Sequence, residues 1–432
     1  MRRIRTVSGV ACWVAALGLA LTACTASTTT VVRSAGSGSA SGGAKTSAPA
    51  SASPSPTGPL VTITPGRGTA AVDPSQGITV TTADGTLKNV TVTTPGDPVT
   101  GTYAAGRKSW HSAYALNVSQ SYTVTATATA TSGTTTKTAT FRTLTPKSTL
   151  ITQIFEGYQQ TYGVGMPIIL SFSQPVTNKA AVEQSIQLST SKPVIGAWYW
   201  DGSKTLDFRP RDFWPAHTTV SFTGHFNGVL AAAGLYGDHT LTQTFVIGDA
   251  VVAVASTRTH RTQIYINGKL TYNWPISSGK PGDDTPDGSY LTIEKENPVR
   301  MVGPGYSLLV PWSVRFTFSG DYYHDAYWSV GQQGFDNVSH GCVNLSPADA
   351  ETYYKLAVPG DPITIKGSPR PGAWDNGWTE WFLFWNQLLQ GSALHEAVVA
   401  TPQGSTFVQP SALRPNTAKA PLGTAAAGNN LF

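Results

Sequence analysis

The sequence predicts a mostly β chain built from several modules in series. Three observations carry this. Thr, Val and Ala alternate with period two through much of residues 60–248, the pattern of half-buried strands. Gly and Pro, 43 and 29 of the 432 residues, break those runs into short pieces. Helix-start signals, by contrast, gather at one place, after residue 345.

The chain opens with Arg2, Arg3 and Arg5 and the apolar run Val7 to Ala20, the layout of an export signal. It closes on Leu21-Thr22-Ala23-Cys24, which resembles a bacterial lipobox. That resemblance implies a lipoprotein signal peptide over 1–23 and lipid on Cys24. A plain secretory signal and an uncleaved anchor stay open as alternatives. Several acyl chains on one cysteine would hold firmly where a single chain binds only marginally. No later stretch reaches the roughly 20 apolar residues that span a bilayer. The expected location is therefore the outer face of the cytoplasmic membrane, with the chain tethered by lipid and reaching into the cell wall. The formal charge of +5 falls to +2 once the three arginines leave with the signal. No basic patch interleaved with aromatics appears, so nucleic acid is not an expected partner.

Residues 24–59 are Ser, Ala, Thr, Gly and Pro almost without large apolar side chains. Such a tract buries too little to offset its ordering entropy and reads as a disordered linker, with an r.m.s. span on the order of 30 Å. Residues 60–145 follow as short strands between turns. The run from Tyr122, the Ser132-Gly133 turn and the run from Thr138 read as a hairpin. This spacing fits an immunoglobulin-like sandwich. Residues 146–248 repeat the theme, with strands at Ile168-Ile-Leu-Ser-Phe and Val220-Ser-Phe-Thr-Gly. Both modules read more readily as rigid spacers than as ligand-binding domains. Their histidines, His111, His217, His225 and His239, share no spacing and read as surface or core residues.

Residues 249–367 form the next domain. Val251-Val-Ala-Val-Ala-Ser is a strand, and Thr262-Gln-Ile-Tyr-Ile, Asn267-Gly268 and Lys269-Leu-Thr-Tyr form a hairpin. Ser346 as N-cap, Pro347 at the first helical position and Asp349 in the first turn start a short helix. Pro362-Ile-Thr-Ile-Lys closes the domain as a strand. Beyond it, residues 368–400 crowd Trp374, Trp378, Trp381, Phe382, Phe384 and Trp385, which read as packing. Residues 401–432 read as a flexible tail.

Chemistry concentrates in Ser339-His340-Gly341-Cys342-Val343-Asn344. The sequence has three cysteines, and Cys12 and Cys24 lie in the export region. Cys342 is therefore a lone thiol in the folded body, a candidate nucleophile. His324, 18 positions upstream, is the candidate base that would take its proton. Two blander readings compete. Cys342 could be an inert buried thiol, or His324, His340 and Cys342 could bind zinc, although no fourth ligand has a convincing spacing.

His324, the Trp328-Ser-Val-Gly-Gln-Gln run and Ser-His-Gly-Cys-Val-Asn resemble, in order and spacing, the signature of the L,D-transpeptidase family, its mycobacterial type in particular. Ser277-x-Gly…Thr285-Pro-x-Gly resembles another family segment. Tyr327 departs from it, standing where many relatives have proline. The resemblance implies tandem immunoglobulin-like sandwiches before a catalytic β-sandwich domain with a short helix, and a C-terminal subdomain folded back on that domain. It implies Tyr306 as a hydroxyl donor near the oxyanion. It also implies substrate contacts at Tyr306, Ser319, Gly320, His340 and Asn344. Physical reasoning adds the Gly341 and Cys342 N–H groups as oxyanion donors. A backbone carbonyl just after His324 would orient it, and the Asp325 carboxylate is a second possibility.

The implied substrates are peptidoglycan stem peptides, a donor tetrapeptide and an acceptor amine, joined 3→3 with release of D-alanine. Carbapenems are expected to acylate Cys342, and neither cofactor nor metal is expected. An L,D-carboxypeptidase and a non-catalytic wall-binding protein remain the alternative functions.

Overall fold

The structure, a computed structural model, describes residues 58–413 apart from Pro304. The export signal, Cys24, nearly all of the linker and the end of the tail lie outside the described residues.

The first module is two facing sheets. One runs in the order Val61–Thr64, Thr79–Thr82, Ser109–Ser112, Gly101–Tyr103, and the other Thr86–Thr93, Ser121–Ala130, Gly133–Arg142. Alternation in Ser121–Ala130 sends Tyr122, Val124, Ala126 and Ala128 into the core with Trp110 and Phe141. The intervening threonines face out and pair across strands, Thr125 with Thr138 at 3.1 Å and Thr127 with Thr136 at 3.0 Å. The immunoglobulin-like layout expected from the sequence is the one observed.

The second module shares its core with its neighbour. One sheet runs Thr161–Tyr162, Leu241–Ile247, Thr219–Gly224, Ile186–Thr190. Its partner holds Val194–Asp201, Thr205–Pro210, Ile168–Phe172 and Thr152–Ile154, and then two strands from the far end of the chain, Ala397–Thr401 and Gly404–Val408. A flexible tail from residue 401 was expected, and the structure corrects this as far as Val408. The reason is the apolar edge at Val194–Gly196, which pairs with Val398–Ala400. A bare edge of that kind is a liability until another strand covers it.

The aromatic segment also departs from expectation, because most of it packs on the second module. Trp374 lies edge-on to Tyr199, Trp378 to Phe155 and Trp381 to Phe213. The helix Trp385–Gly391 lies near Val194–Asp201, and Leu388 and Leu389 pack with Ala197. Buried Glu183 ties the segment down, accepting from Trp200 Nε1 (2.7 Å), Ser392 Oγ (2.7 Å) and the Ala393 N–H (2.6 Å). Phe382 enters the core of the catalytic domain, against Tyr290, and Trp374 also packs against that core.

In the catalytic domain, one sheet runs Lys269–Pro275, Arg261–Ile266, Val251–Ser256, Pro362–Lys366, Gly288–Leu291. The second runs Glu294–Glu296, Ser313–Arg315, Tyr322–Asp325, Val343–Leu345. Val251, Ala253 and Ala255 face the domain's own core. Val252 and Val254 join the core of the second sandwich. A strand buried on both faces reads as a continuous apolar run, which explains Val251-Val-Ala-Val-Ala. Asn267 and Gly268 both take positive φ (49° and 80°), the turn that Asn-Gly predicts. The helix is Pro347–Leu356, and Ser346 Oγ accepts from the Asp349 N–H at 3.2 Å, the expected cap.

Candidate active site

Strand alternation assembles the site. Tyr322–Asp325 and Val343–Leu345 run parallel, with Tyr323 opposite Val343 and His324 opposite Asn344. Tyr323, Val343 and Leu345 point into the core. Period two therefore puts Tyr322, His324, Cys342 and Asn344 on the other face, where all four line one cleft of about 760 Å³. Eighteen residues apart in sequence, His324 and Cys342 become diagonal neighbours across two adjacent strands.

The loop before Val343 is held by the segment that carries Ser277 and Thr285. The Asn344 N–H donates to Ser277 O (2.8 Å), and the Ser339 N–H to Ser278 O (3.0 Å). Thr285 Oγ1 donates to Gly341 O (2.6 Å) and accepts from the Gly279 N–H (2.9 Å). Asn337 Oδ1 accepts from Ser278 N and Oγ, while its Nδ2 donates to Thr257 O. Ser339 Oγ donates to Cys342 O (2.6 Å) and accepts from the Gly341 N–H (3.2 Å). Gly341 takes φ 125°, and a Cβ there would run into Asp321 Oδ1, so this position needs glycine.

His324 is buried, and its Nδ1 sits 2.8 Å from Asp325 O. That carbonyl can only accept, so Nδ1 carries the proton and Nε2 keeps a free lone pair. Burial lowers the imidazole pKa to about 4, against the pull of the carbonyl. The backbone carbonyl is thus the orienting partner. The Asp325 carboxylate is turned away, with Oδ1 buried and unpartnered among the described residues. Burial pushes the Cys342 thiol up to about 12, with the Asp321 charge adding to the rise and the Tyr322 N–H opposing it. At neutral pH the pair is thiol and neutral imidazole, not an ion pair.

The remaining expected residues gather here too. Tyr306 begins a strand at the rim, its ring 5.3 Å from that of exposed His340. Lys280 Nζ donates to His340 Nε2 at 2.9 Å. Asn344 Nδ2 donates to Ser329 Oγ (2.9 Å), leaving Oδ1 buried without a partner among the described residues. Ser319 and Gly320 line the cleft, and the Ser319 N–H donates to Asn376 Oδ1 at 2.8 Å. The Gly341 N–H is engaged by Ser339 Oγ, whereas the Cys342 N–H has no partner among the described residues. Among those residues no group of three His, Cys, Asp or Glu could hold a metal.

Sequence reasoning passed over Asp321, Asn337 and Asn376. Asp321 and Asn376 belong to no recognisable pattern, and Asn337 lies just outside the quoted Ser-His-Gly-Cys run.

A buried neutral imidazole facing a cysteine thiol across parallel strands, on a β-sandwich, defines a cysteine acyltransferase. Comparison narrows the class. Residues 250–365 match the L,D-transpeptidase catalytic domain, and residues 69–230 a bacterial Ig domain. The chain is 30% identical to L,D-transpeptidase 2 of Mycobacterium tuberculosis (strain CDC 1551 / Oshkosh) over 73% of its own length and 80% of the relative's. It is 32% identical to L,D-transpeptidase 5 of Mycobacterium tuberculosis (strain ATCC 25618 / H37Rv), over 78% and 77%. A solved L,D-transpeptidase in complex with imipenem is 35% identical, covering 51% of this chain and 100% of its own, with a TM-score of 0.44. The chain belongs to the L,D-transpeptidase family of cysteine-dependent acyltransferases.

Proposed function

We propose that the chain cross-links peptidoglycan stem peptides through an acyl-enzyme on Cys342. The observation that carries this is the placement of Cys342 and His324 on one cleft face, with Nε2 of His324 free to accept. His324 takes the thiol proton as Sγ adds to the peptide carbonyl, because neither group ionises alone at neutral pH. The Tyr306 hydroxyl and the Cys342 N–H stabilise the oxyanion. The intermediate then expels the amine of D-alanine, which takes the proton back from His324. Asn344 Oδ1 offers an acceptor to the donor stem. The side-chain amine of a second stem attacks the thioester and completes a 3→3 link.

The reading extends to inhibition and location. A carbapenem, the class of the imipenem held by the relative, would acylate the same sulfur. Arg2, Arg3 and Arg5, the apolar run and Leu21-Thr-Ala-Cys24 support export and a lipid anchor.

The test is intact mass after incubation with meropenem and, separately, with a disaccharide-tetrapeptide. The parent gains one adduct and yields cross-linked dimer, and Cys342→Ala does neither. Tripeptide product without dimer would assign a carboxypeptidase instead, and no adduct on folded parent would overturn the assignment.

A further inference from the structure

We infer that Asp321 is the receptor for the ammonium group of the acceptor stem, and so a residue of the second half-reaction. This rests on the acyl-enzyme reading above. Asp321 is the single carboxylate lining the cleft among the described residues, where Arg300 and Arg370 are also present. It is 6% exposed, so its position is built rather than incidental.

One oxygen is fixed. Oδ2 accepts from Thr317 Oγ1 at 2.6 Å and from Ser319 Oγ at 3.0 Å. The Asp321 N–H in turn donates to Thr317 Oγ1 at 2.8 Å. The other oxygen, Oδ1, has no hydrogen-bond partner among the described residues and lies against Gly341, beside the nucleophile. A carboxylate so little exposed, with one oxygen left unpaired, is better off where a cation meets it.

The same carboxylate works against the first half-reaction, since its charge raises the Cys342 pKa and disfavours the thiolate. Once Sγ is acylated, that opposition ends, because a thioester carries no charge. What arrives next is a primary amine, protonated at neutral pH. Oδ1 can hold that ammonium beside the thioester carbon, and a charge-assisted bond there is about twice as strong as a neutral one. The acceptor then gives up one proton to solvent and attacks as the free amine. The new N–C bond forms, the C–S bond breaks, and the sulfur leaves with a second amine proton delivered through His324. Thioester and ammonium thus become amide, thiol and one released proton.

The test separates charged from uncharged acceptors. Acyl-enzyme is formed with a disaccharide-tetrapeptide donor and partitioned between a diaminopimelate-bearing disaccharide-tripeptide and methoxyamine, which is uncharged at neutral pH. Asp321→Asn should raise KM for the ammonium acceptor about tenfold, leave methoxyamine transfer in place, and speed acylation by meropenem. Thr317→Val, which loosens Oδ2, should move the ammonium acceptor in the same direction by less. An equal loss with both nucleophiles in both variants would mean a structural role and overturn the inference. So would an unchanged KM for the ammonium acceptor. Failure of the unaltered protein to form any meropenem adduct would overturn the acyl-enzyme reading, and this inference with it.

Discussion

At the scale of single residues, the thiol and the imidazole meet as neutral partners because both are desolvated more than either is helped. His324 keeps its free lone pair down to about pH 4, and Cys342 holds its proton up to about pH 12. The reactive state therefore forms only as the proton moves during attack. Meropenem acylation should stay nearly level from pH 5 to 8 and fall as the pH approaches about 4, where His324 charges. Stopped-flow acylation rates across that range check it, and an acid limb centred near pH 6.5 would contradict it. His324→Gln should slow acylation by about 10²–10⁴-fold at neutral pH with the fold intact by circular dichroism. The folded protein binds a proton at His324 less readily than the unfolded chain. Its contribution to stability is thus present above pH 6.5 and lost as pH falls towards about 4.

At the scale of elements, the two catalytic strands and the segment that holds their loop do the positioning, and much of this was legible in the sequence. Asn267-Gly268 specified its turn, Ser346-Pro347 its helix start, and the run at Val251 its strand, because each is a local signal. The pairing that brings His324 beside Cys342 is not local: their chemistry marked them as candidate base and nucleophile, but no periodicity foretold that their strands would lie side by side. The C-terminal strap was read only as packing on its near neighbour. Ala397–Thr401 finds its partner about two hundred positions upstream, and nothing in its own residues names Val194–Gly196. Asp321 escaped for a related reason, since one acidic residue at a strand entry carries no pattern. The strap's anchor makes its own prediction. Glu183→Ala removes the acceptor for Trp200, Ser392 and Ala393 together, leaving buried donors unmet. It should cost about 2–4 kcal/mol in urea unfolding. A loss under ~0.5 kcal/mol would show the strap held by its aromatic residues alone.

At the scale of the whole molecule, the second sandwich and the catalytic domain are not separable bodies, since Val252, Val254, Leu291 and Trp378 complete the sandwich's core. Trp381 Nε1 donates to Gly165 O at 2.8 Å across the same contact. The first module is fastened in turn through Thr240 Oγ1 to Asp97 (2.9 Å) and the Val118 N–H to Asn227 Oδ1 (3.1 Å). Within the second sandwich lies a buried acid, Glu156, whose pKa burial raises to about 8. The folded protein keeps that proton where the unfolded chain, near 4.5, has lost it. Stability from this group is therefore present at acid pH and drains away as pH rises from 4.5 to about 8. Glu156→Gln should melt with the parent at pH 5 and a few degrees above it at pH 9, by calorimetry. Equal melting temperatures at both would show that water reaches the carboxylate.

The strap also sets a timetable. Chains are made from the N-terminus, and domains generally fold as they emerge. Yet the sheet begun by Thr152–Ile154 is closed only by Ala397–Thr401 and Gly404–Val408. Val194–Asp201 must wait with one edge bare until Ala397–Thr401 has been made, and Glu183 waits likewise for Ser392 and Ala393. These two strands act as a late clasp: a polypeptide cut between Lys366 and Ala397 holds Cys342 and His324 but lacks the strands that close the second sandwich's sheet.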